Sequence, residues 1–537
     1  MSCRTGHPAQ ILVRFVVSAA SLAVFQSVAL ADADESVVVS ASRFPESALA
    51  RPLSITVLGA EEIRASAAPS LPALLAEQAG ITLQDVNGNG GISATVDIRG
   101  FGATAGQNTL ILLDGRRLTD LDQANVNWSS IPLGSIERIE ILRGSGAVQF
   151  GEGAGGGVIN IVSRAPGEGD PAMVGGRFGS YNTREFQAGA NRKAGAFGLS
   201  VGGSHYESDG YRVNNHARQT NATLKAGYDY GTGSLRLGLD ANWMTMRLPG
   251  FRQVEPAVGR DDLATDLRGT PTPNDDSARR GAQFALDWRH RFDFGELAID
   301  YTRRTREQWI YSEAGQFARL SDMTLDSLSP RLRLPHALFG AKSQLVLGAD
   351  WQDWDYAARD AVTIGLMSQP YSRVSARQSN IGYYLQETVD IGDRLSVLAG
   401  ARLERQKLSA SNTVDLAATC PFGFCPTAAA PDAATHWQSA WELGGRYRLS
   451  AQWSAFAKTA RAFRFNNVDE IYETDAAFNN QFQFLRPQTN HLVELGVQWA
   501  TTGSSVKAAI YRNDVRDEIH LDPFTAGVGN TNLPASR

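Results

Sequence analysis

From residue 172 onward, apolar and polar positions alternate in segments of about ten residues. In Phe284-Ala285-Leu286-Asp287-Trp288-Arg289 every second position is apolar, and Gln344–Trp351, Ser454–Ala460, Val493–Trp499 and Val506–Arg512 behave similarly. A period of two sends successive side chains to opposite faces, so each segment predicts a strand with one face toward an apolar medium. A soluble sandwich would alternate too; the number and spacing of the segments favour a membrane barrel. Very short turns, such as Asp390-Ile391-Gly392-Asp393, Asp293-Phe294-Gly295 and Tyr230-Gly231-Thr232-Gly233, join many of them. Long polar loops near 247–280, 356–376, 408–436 and 462–488 join others. Short turns at one end and long loops at the other are the layout of a transmembrane barrel. Only a closed barrel satisfies strand backbone groups in lipid. The pattern predicts about fifteen strands.

Residues 49–165 have a different texture and predict a compact α/β unit. A helix is expected from Pro69 to Gly80, with Leu71, Leu74 and Leu75 on one face. Strands are expected at Val96–Arg99, Thr109–Leu113, Ile136–Arg143 and Gly157–Ser163, the last two separated by a glycine-rich stretch from Gly144 to Gly157. Asp114-Gly115 reads as a turn. Residues 32–48 are short, polar and extended around Val37-Val38-Val39. Ahead of them, Arg4 and Arg14 precede an apolar run from Phe15 to Leu30 that ends in Ala29-Leu30-Ala31 and meets Asp32-Ala33-Asp34-Glu35. That is a secretory signal, cut after about Ala31. A retained anchor is the rival reading, disfavoured by the small residues and the acidic flank. The expected organisation is therefore a leader over 1–31, an extended linker over 32–48, the α/β unit over 49–165 and the strand-rich region over 172–537.

Composition sharpens this picture. Among the 537 residues are 52 Gly, 23 Phe, 14 Tyr and 10 Trp, with 20% charged residues, which suits a large β protein. Beyond residue 31 no apolar run reaches the ~20 residues of a membrane helix. The net charge of −5 argues against nucleic acid as partner. Of three cysteines, Cys3 lies in the leader. Cys420 and Cys425 could close a small disulfide loop in an oxidising compartment; zinc is the alternative, without a His or second Cys pair nearby in sequence. No Gly-x-Ser-x-Gly elbow is present, eight histidines give no metal-catalytic set, and the Gly144–Gly157 stretch lacks the lysine of a phosphate loop. An enzyme is not expected.

Several motifs carry a resemblance. Asp97-Ile98-Arg99-Gly100-Phe101-Gly102 and Leu112-Leu113-Asp114-Gly115-Arg116 are followed by Ile131-Pro132-Leu133, by Ile136 to Gly144 and by Gly155-Gly156-Gly157-Val158-Ile159-Asn160-Ile161-Val162. In this order they resemble the plug domain of TonB-dependent outer-membrane receptors, and the resemblance extends through the strand-rich region. It implies an α/β plug inside a transmembrane antiparallel β-barrel of about 22 strands. Glu35-Ser36-Val37-Val38-Val39-Ser40-Ala41 resembles the TonB box, whose β-branched run offers main-chain hydrogen bonds for strand addition to TonB, itself tied to an inner-membrane energising complex. By the same resemblance, Arg99 and Arg143 face barrel-wall carboxylates and fix the plug.

The implied function is active uptake of a metal chelate through the outer membrane of a Gram-negative cell, with no covalently bound cofactor and a ferric siderophore as cargo. Cobalamin and haem are the alternatives. Haem receptors of the family carry a histidine after Phe-Arg-Ala-Pro; here Phe463-Arg464 is followed by Phe465-Asn466, with no His before Leu485. Phe463, Arg464, Phe465, Tyr472 and Arg486 in the 462–488 loop would suit an anionic, aromatic catecholate. A passive porin would need no plug, and a signalling transducer would carry a further domain before it. The final Asn532-Leu533-Pro534-Ala535-Ser536-Arg537 lacks the terminal aromatic of such barrels. The expectation is a chain about seven strands short of a closed barrel, hence a fragment or a non-functional truncated receptor.

Overall fold

The structure, a computed structural model, describes residues 38–39, 43–44, 46–47, 54–88, 91–474, 479–501, 504–522 and 528–536. The expected leader lies outside the described residues.

The α/β unit is built on a five-stranded sheet in the spatial order Ile55–Gly59, Ile136–Arg143, Gly157–Ser163, Thr109–Leu113 and Arg116–Arg117. Thr109–Leu113 and Gly157–Ser163 run parallel, and the other neighbours antiparallel. A second sheet pairs Ile81–Gln84 with Thr95–Ile98. The expected helix is shorter than its pattern, Leu71–Ala76, and the chain turns away through Gly80 at φ +75°. Its Leu71, Leu74 and Leu75 are buried with Leu58, Ile98, Ile136, Ile139, Ile141, Ile159 and Ile161. Each such side chain contributes about 1.5–3 kcal/mol by leaving water. Asp114 and Gly115, both at positive φ, make the two-residue hairpin between Thr109–Leu113 and Arg116–Arg117.

The strand-rich region is one 18-stranded antiparallel meander around this unit. Two of its strands, Tyr472–Thr474 and Asn480–Phe482, are a small hairpin within a loop. The remaining sixteen form the wall, against about fifteen expected. They are Ala172–Gly179 (β1), Thr183–Ala194 (β2), Phe197–Ser208 (β3), Ala217–Asp229 (β4), Gly233–Arg247 (β5), Asp276–Phe292 (β6), Gly295–Ser312 (β7) and Phe317–Leu338 (β8). They continue as Ala341–Ala361 (β9), Ser372–Ile391 (β10), Leu395–Val414 (β11), Asp432–Arg448 (β12), Trp453–Arg464 (β13), Gln488–Ala500 (β14), Ser505–Asp522 (β15) and Val528–Ser536 (β16). Among the described residues, β1 and β16 do not pair with each other.

Burial along the wall is inverted relative to a soluble sandwich. Gln378, Asn380, Gln386, Arg402, Glu404, Gln406, Glu442, Lys458 and Glu494 are buried on the inner face. Tyr383, Leu385, Leu403, Leu443, Leu495 and Val497 are exposed on the outer one. Polar inside and apolar outside is the arrangement lipid requires. At the short-turn end the rings of Phe197, Tyr228, Tyr230, Trp288, His290, Phe292 and Phe294 form a continuous ladder, with Trp288 Nε1 donating to the Tyr230 hydroxyl at 3.0 Å. It is an interfacial aromatic girdle. We expect Leu495→Arg, in the apolar band of β14, to cost about 2–4 kcal/mol. Urea titration of the barrel in lipid vesicles reads this; a shift no larger than that of Leu495→Ala would place the residue outside the hydrocarbon.

Strands β8 to β11 run 22, 21, 20 and 20 residues. At about 3.3 Å per residue they outreach an apolar band ~25 Å tall, even when tilted. The loops expected at 356–376 and 408–436 therefore shrink to 362–371 and 415–431. The outer face of β6 to β10 carries ion pairs, Arg280 with Glu307 at 2.7 Å, Arg303 with Asp326 at 3.0 Å and Arg377 with Asp353 at 2.7 Å. Cys420 and Cys425 are disulfide-bonded in the 415–431 loop.

Candidate functional site

Of the expected docking segment Glu35–Ala41, Val38–Val39 is a strand paired with Glu46–Ser47, while Glu35, Ser36, Val37, Ser40 and Ala41 lie outside the described residues. The chain next to it is clasped to the wall. Arg43, at φ +61°, forks onto Asp350 of β9 with Nη1–Oδ1 at 2.5 Å and Nη2–Oδ2 at 3.1 Å. Asp350 also accepts from Arg402 Nη1 at 2.7 Å and Ser329 Oγ at 2.8 Å. The Arg43 carbonyl accepts from Arg331 Nε at 3.0 Å. Phe44 is fully buried, its ring 5.5 Å from the Arg331 guanidinium and 5.0 Å from that of Arg333. Burial alone would lower the Arg43 pKa; the adjoining Asp350 carboxylate outweighs it and holds the guanidinium charged, above its ordinary range. A bidentate, desolvated pair of this kind is strong and directional.

Around the lumen the plug meets the wall through further buried charges. Arg99 Nη2 sits 2.5 Å from Glu494 Oε2 of β14, and its guanidinium lies 4.1 Å over the Tyr511 ring. Arg99 leaves its strand at φ +71°, a costly conformation for a residue with a Cβ. The turn is held by Asp97, which accepts from the backbone N–H groups of Phe101 at 3.0 Å and Gly102 at 2.8 Å. Gly144 suits this place because its φ is +86°, and a Cβ would also stand 2.7 Å from Leu492 Cδ2 and 2.9 Å from Arg99 Nη1. Lys458 Nζ reaches Glu442 at 2.8 Å and donates to the Ser145 carbonyl at 2.7 Å. Arg143 makes its hydrogen bonds inside the plug, with the wall carboxylate Glu494 in electrostatic reach. Its Nε donates to the Ala79 carbonyl at 3.0 Å and its Nη1 to Thr56 Oγ1 at 2.5 Å, both within the plug. It ends its strand beside Ile55–Gly59, which supplies the Thr56 acceptor.

At the long-loop end the plug loop 119–126 is gripped by arginines. Asp120 accepts from Arg279 at 2.7 Å, Arg304 at 2.5 Å and Arg306 at 2.6 Å; Arg306 also pairs with Asp122. Burial would raise the Asp120 pKa, but these guanidiniums hold it below the usual carboxylate range. Between the two aspartates, Leu121 is buried against Met323, Leu325, Trp354, Tyr356, Val468 and Ile471. No motif marks these residues in the sequence; only Arg304 and Arg306, two apart in Arg303-Arg304-Thr305-Arg306 and so on one face of a strand, hint at them.

The loop aromatics expected to meet a ligand are placed differently. Phe463, Arg464 and Phe465 are buried against the plug. The Gly153 N–H donates to the Phe463 carbonyl at 3.2 Å, the Phe465 N–H to Glu152 at 3.4 Å, and Arg464 pairs with Glu470 at 2.8 Å. Phe463 and Arg464 close β13 at its long-loop end, Phe465 follows directly, and the two rings pack on the plug. Tyr472 is half-buried, packed on Phe482 with ring centroids 4.9 Å apart. Arg486 is exposed and pairs with Asp517 at 2.7 Å. Burial pushes the Glu152 carboxyl up, opposed by Arg117 and reinforced by Glu404. A cavity of about 330 Å³ is lined by Arg43, Asp114, Arg116, Lys225, Asp300 and Asp350, among others.

Comparison with known proteins follows the same division. Residues 47–158 match the TonB-dependent receptor plug domain, and residues 167–537 the TonB dependent receptor-like β-barrel. The vitamin B12 transporter BtuB of Vibrio vulnificus is 25% identical over 494 residues, covering 90% of this chain and 70% of that protein. BtuB of Vibrio cholerae is 32% identical over 184 residues, 34% of this chain and only 30% of that transporter's length. The ferric enterobactin receptor of Pseudomonas aeruginosa is 29% identical over 219 residues, 37% of this chain and 28% of the receptor. Among solved structures, the alcaligin receptor FauA of Bordetella pertussis superposes with a TM-score of 0.69 at 16% identity, over 93% of this chain and 78% of that one. The unliganded ferric citrate transporter FecA does so with 0.72 at 18%, over 87% and 71%. At such identities the likeness is one of fold.

Proposed function

The chain belongs to the TonB-dependent receptor family, and from that premise we propose that it takes up a ferric siderophore through the outer membrane of a Gram-negative cell, driven by TonB. The family consists of transporters, and no catalytic chemistry is called for. The carrying observation is the clasp: the chain beside the Val38–Val39 strand is bonded to the wall through Arg43 and Phe44, in the lumen that the plug fills. A partner that adds a strand at Val38–Val39 would pull directly on that clasp. The outer loops would bind the cargo, the plug would bar the lumen, and the pull would open a route beside it. The lipid bilayer, TonB with its inner-membrane complex and a metal chelate are the partners this mechanism needs.

Arginines Arg279, Arg304 and Arg306 near the plug apex, with Trp354, Tyr356 and Tyr472 close by, favour an anionic, aromatic chelate. Cobalamin is the second reading, favoured by the long match to BtuB. Cells depending on this receptor, supplied with radiolabelled ferric tris(catecholate) or radiolabelled cyanocobalamin, should accumulate the iron complex only while TonB is present. Accumulation of cobalamin alone would replace the first reading by the second. Accumulation of the iron complex without TonB would remove the energised mechanism.

A further inference from the structure

The grip on the plug loop 119–126 has the form of a filled binding site. Three guanidiniums converge on two carboxylates, leaving one positive charge in excess. Nearby, Arg319 forks onto Asp360 at 2.7 and 3.2 Å and lies 4.0 Å from Asp469, which accepts from the Gln123 N–H at 2.9 Å, so this neighbouring group holds two carboxylates to one guanidinium. Arg306, with a side chain 2% exposed, and Arg304 each keep a buried Nε without a hydrogen-bond partner. Such donors carry an unmet desolvation cost. A cavity of about 210 Å³ adjoins the cluster, lined by Asp120, Arg279, Arg304, Arg306, Asn127 and Lys225. Asp-Leu-Asp thus presents two anionic arms flanking an apolar centre to a wall that matches both.

We propose that Arg279, Arg304 and Arg306 are the receptor's site for the anionic oxygens of its cargo, and that Asp120 and Asp122 of the plug occupy this site until the cargo displaces them. This rests on the uptake reading above. The physical reason is charge pairing. If the loop left alone, three buried guanidiniums would lose their partners, which is strongly unfavourable. If an anion takes the place of the carboxylates, every guanidinium stays paired, and the exchange is nearly balanced. Loop release is therefore tied to anion binding. The consequence reaches inward: Arg304 Nη1 also holds the Arg117 carbonyl at 2.7 Å, and Arg117 Nη2 donates to the Glu152 carbonyl at 2.6 Å. It reaches outward too, since the Val468 N–H donates to the Leu121 carbonyl at 3.0 Å.

The test is a spin label at the exposed Gln123, introduced as Gln123→Cys, in the full chain in lipid bilayers. Pyrophosphate, ferric tris(catecholate) and uncharged cyanocobalamin are the probes. Pyrophosphate and the iron complex should mobilise the label saturably, and cyanocobalamin should not. Asp120→Asn with Asp122→Asn should leave the label mobile without any anion and tighten pyrophosphate binding about tenfold, because the site is no longer occupied. Arg279→Gln with Arg304→Gln should abolish the pyrophosphate response. An immobile label at saturating pyrophosphate in the otherwise unchanged chain overturns the proposal, as does a response that survives in the double arginine variant. Uptake of the iron complex with the label immobile also overturns it while leaving the uptake reading in place. Mobilisation by pyrophosphate in a receptor that takes up no iron complex sinks the uptake reading and leaves the site standing.

Discussion

Replacing Asp350 by alanine should set the segment around Arg43 free. The carboxylate serves Arg43, Arg402 and Ser329 at once; the substitution strips the buried Arg43 guanidinium of its bidentate partner, while Arg402 keeps Glu404 at 2.7 Å. Breaking a buried pair in this way costs about 3–5 kcal/mol. The cost falls on the part most easily surrendered, the short strand pair Val38–Val39 with Glu46–Ser47, which among the described residues has no other sheet neighbour. A spin label at Glu46 should become mobile, with local opening increased on the order of a hundredfold. Asp350→Asn, which keeps the acceptor and the volume, should give a smaller change. The wall should keep its stability, since β9 retains its ladder to β8 and β10. A label that stays immobile in the alanine variant would mean that Phe44 alone anchors the segment.

The second large effect concerns Val38→Pro. Proline removes a backbone N–H and resists a paired strand. Strand addition by TonB depends on those main-chain groups more than on side chains. Uptake in cells should therefore fall to the level of a strain without TonB. Affinity for the chelate should stay within about twofold, because the substitution leaves the long loops and the arginines around Asp120 unchanged. Measuring binding on whole cells alongside uptake separates the two. Uptake that persists in the proline variant would mean that this segment is not where the pull is applied.

How far the sequence could be read depended on the range of the interactions. The plug strands at 109–113, 136–143 and 157–163 follow directly from apolar runs closed by glycines, and they form where expected. The wall was legible wherever lipid enforces contrast, as at Val493-Glu494-Leu495-Gly496-Val497. It faded in the overhangs. There Arg377, Ser375 and Arg373 face out while Gln378 and Ala376 face in, so period two persists without an apolar face and reads as loop. The candidate site was less legible. Phe463, Arg464 and Phe465 look like loop aromatics because nothing local says that a plug lies against them. Arg99 and Arg143 carry the same motif character, yet among the described residues Arg99 pairs directly with Glu494 of the wall while Arg143 hydrogen-bonds within the plug. Asp120, Asp122 and the three arginines are separated by more than 150 residues, and only the register of β6 and β7 brings them together.

The plug sheet has one further property. Its strand Ile55–Gly59 lies at the edge, bonded on one side only to Ile136–Arg143, and it is the first sheet strand reached from the clasp. A load travelling along the chain from Arg43 therefore arrives at a member held by a single ladder. The four remaining strands stay paired if it detaches. Mechanically this is a tear strip: extension would come first from a few residues at low force, and the rest of the plug would yield only under a second, higher load.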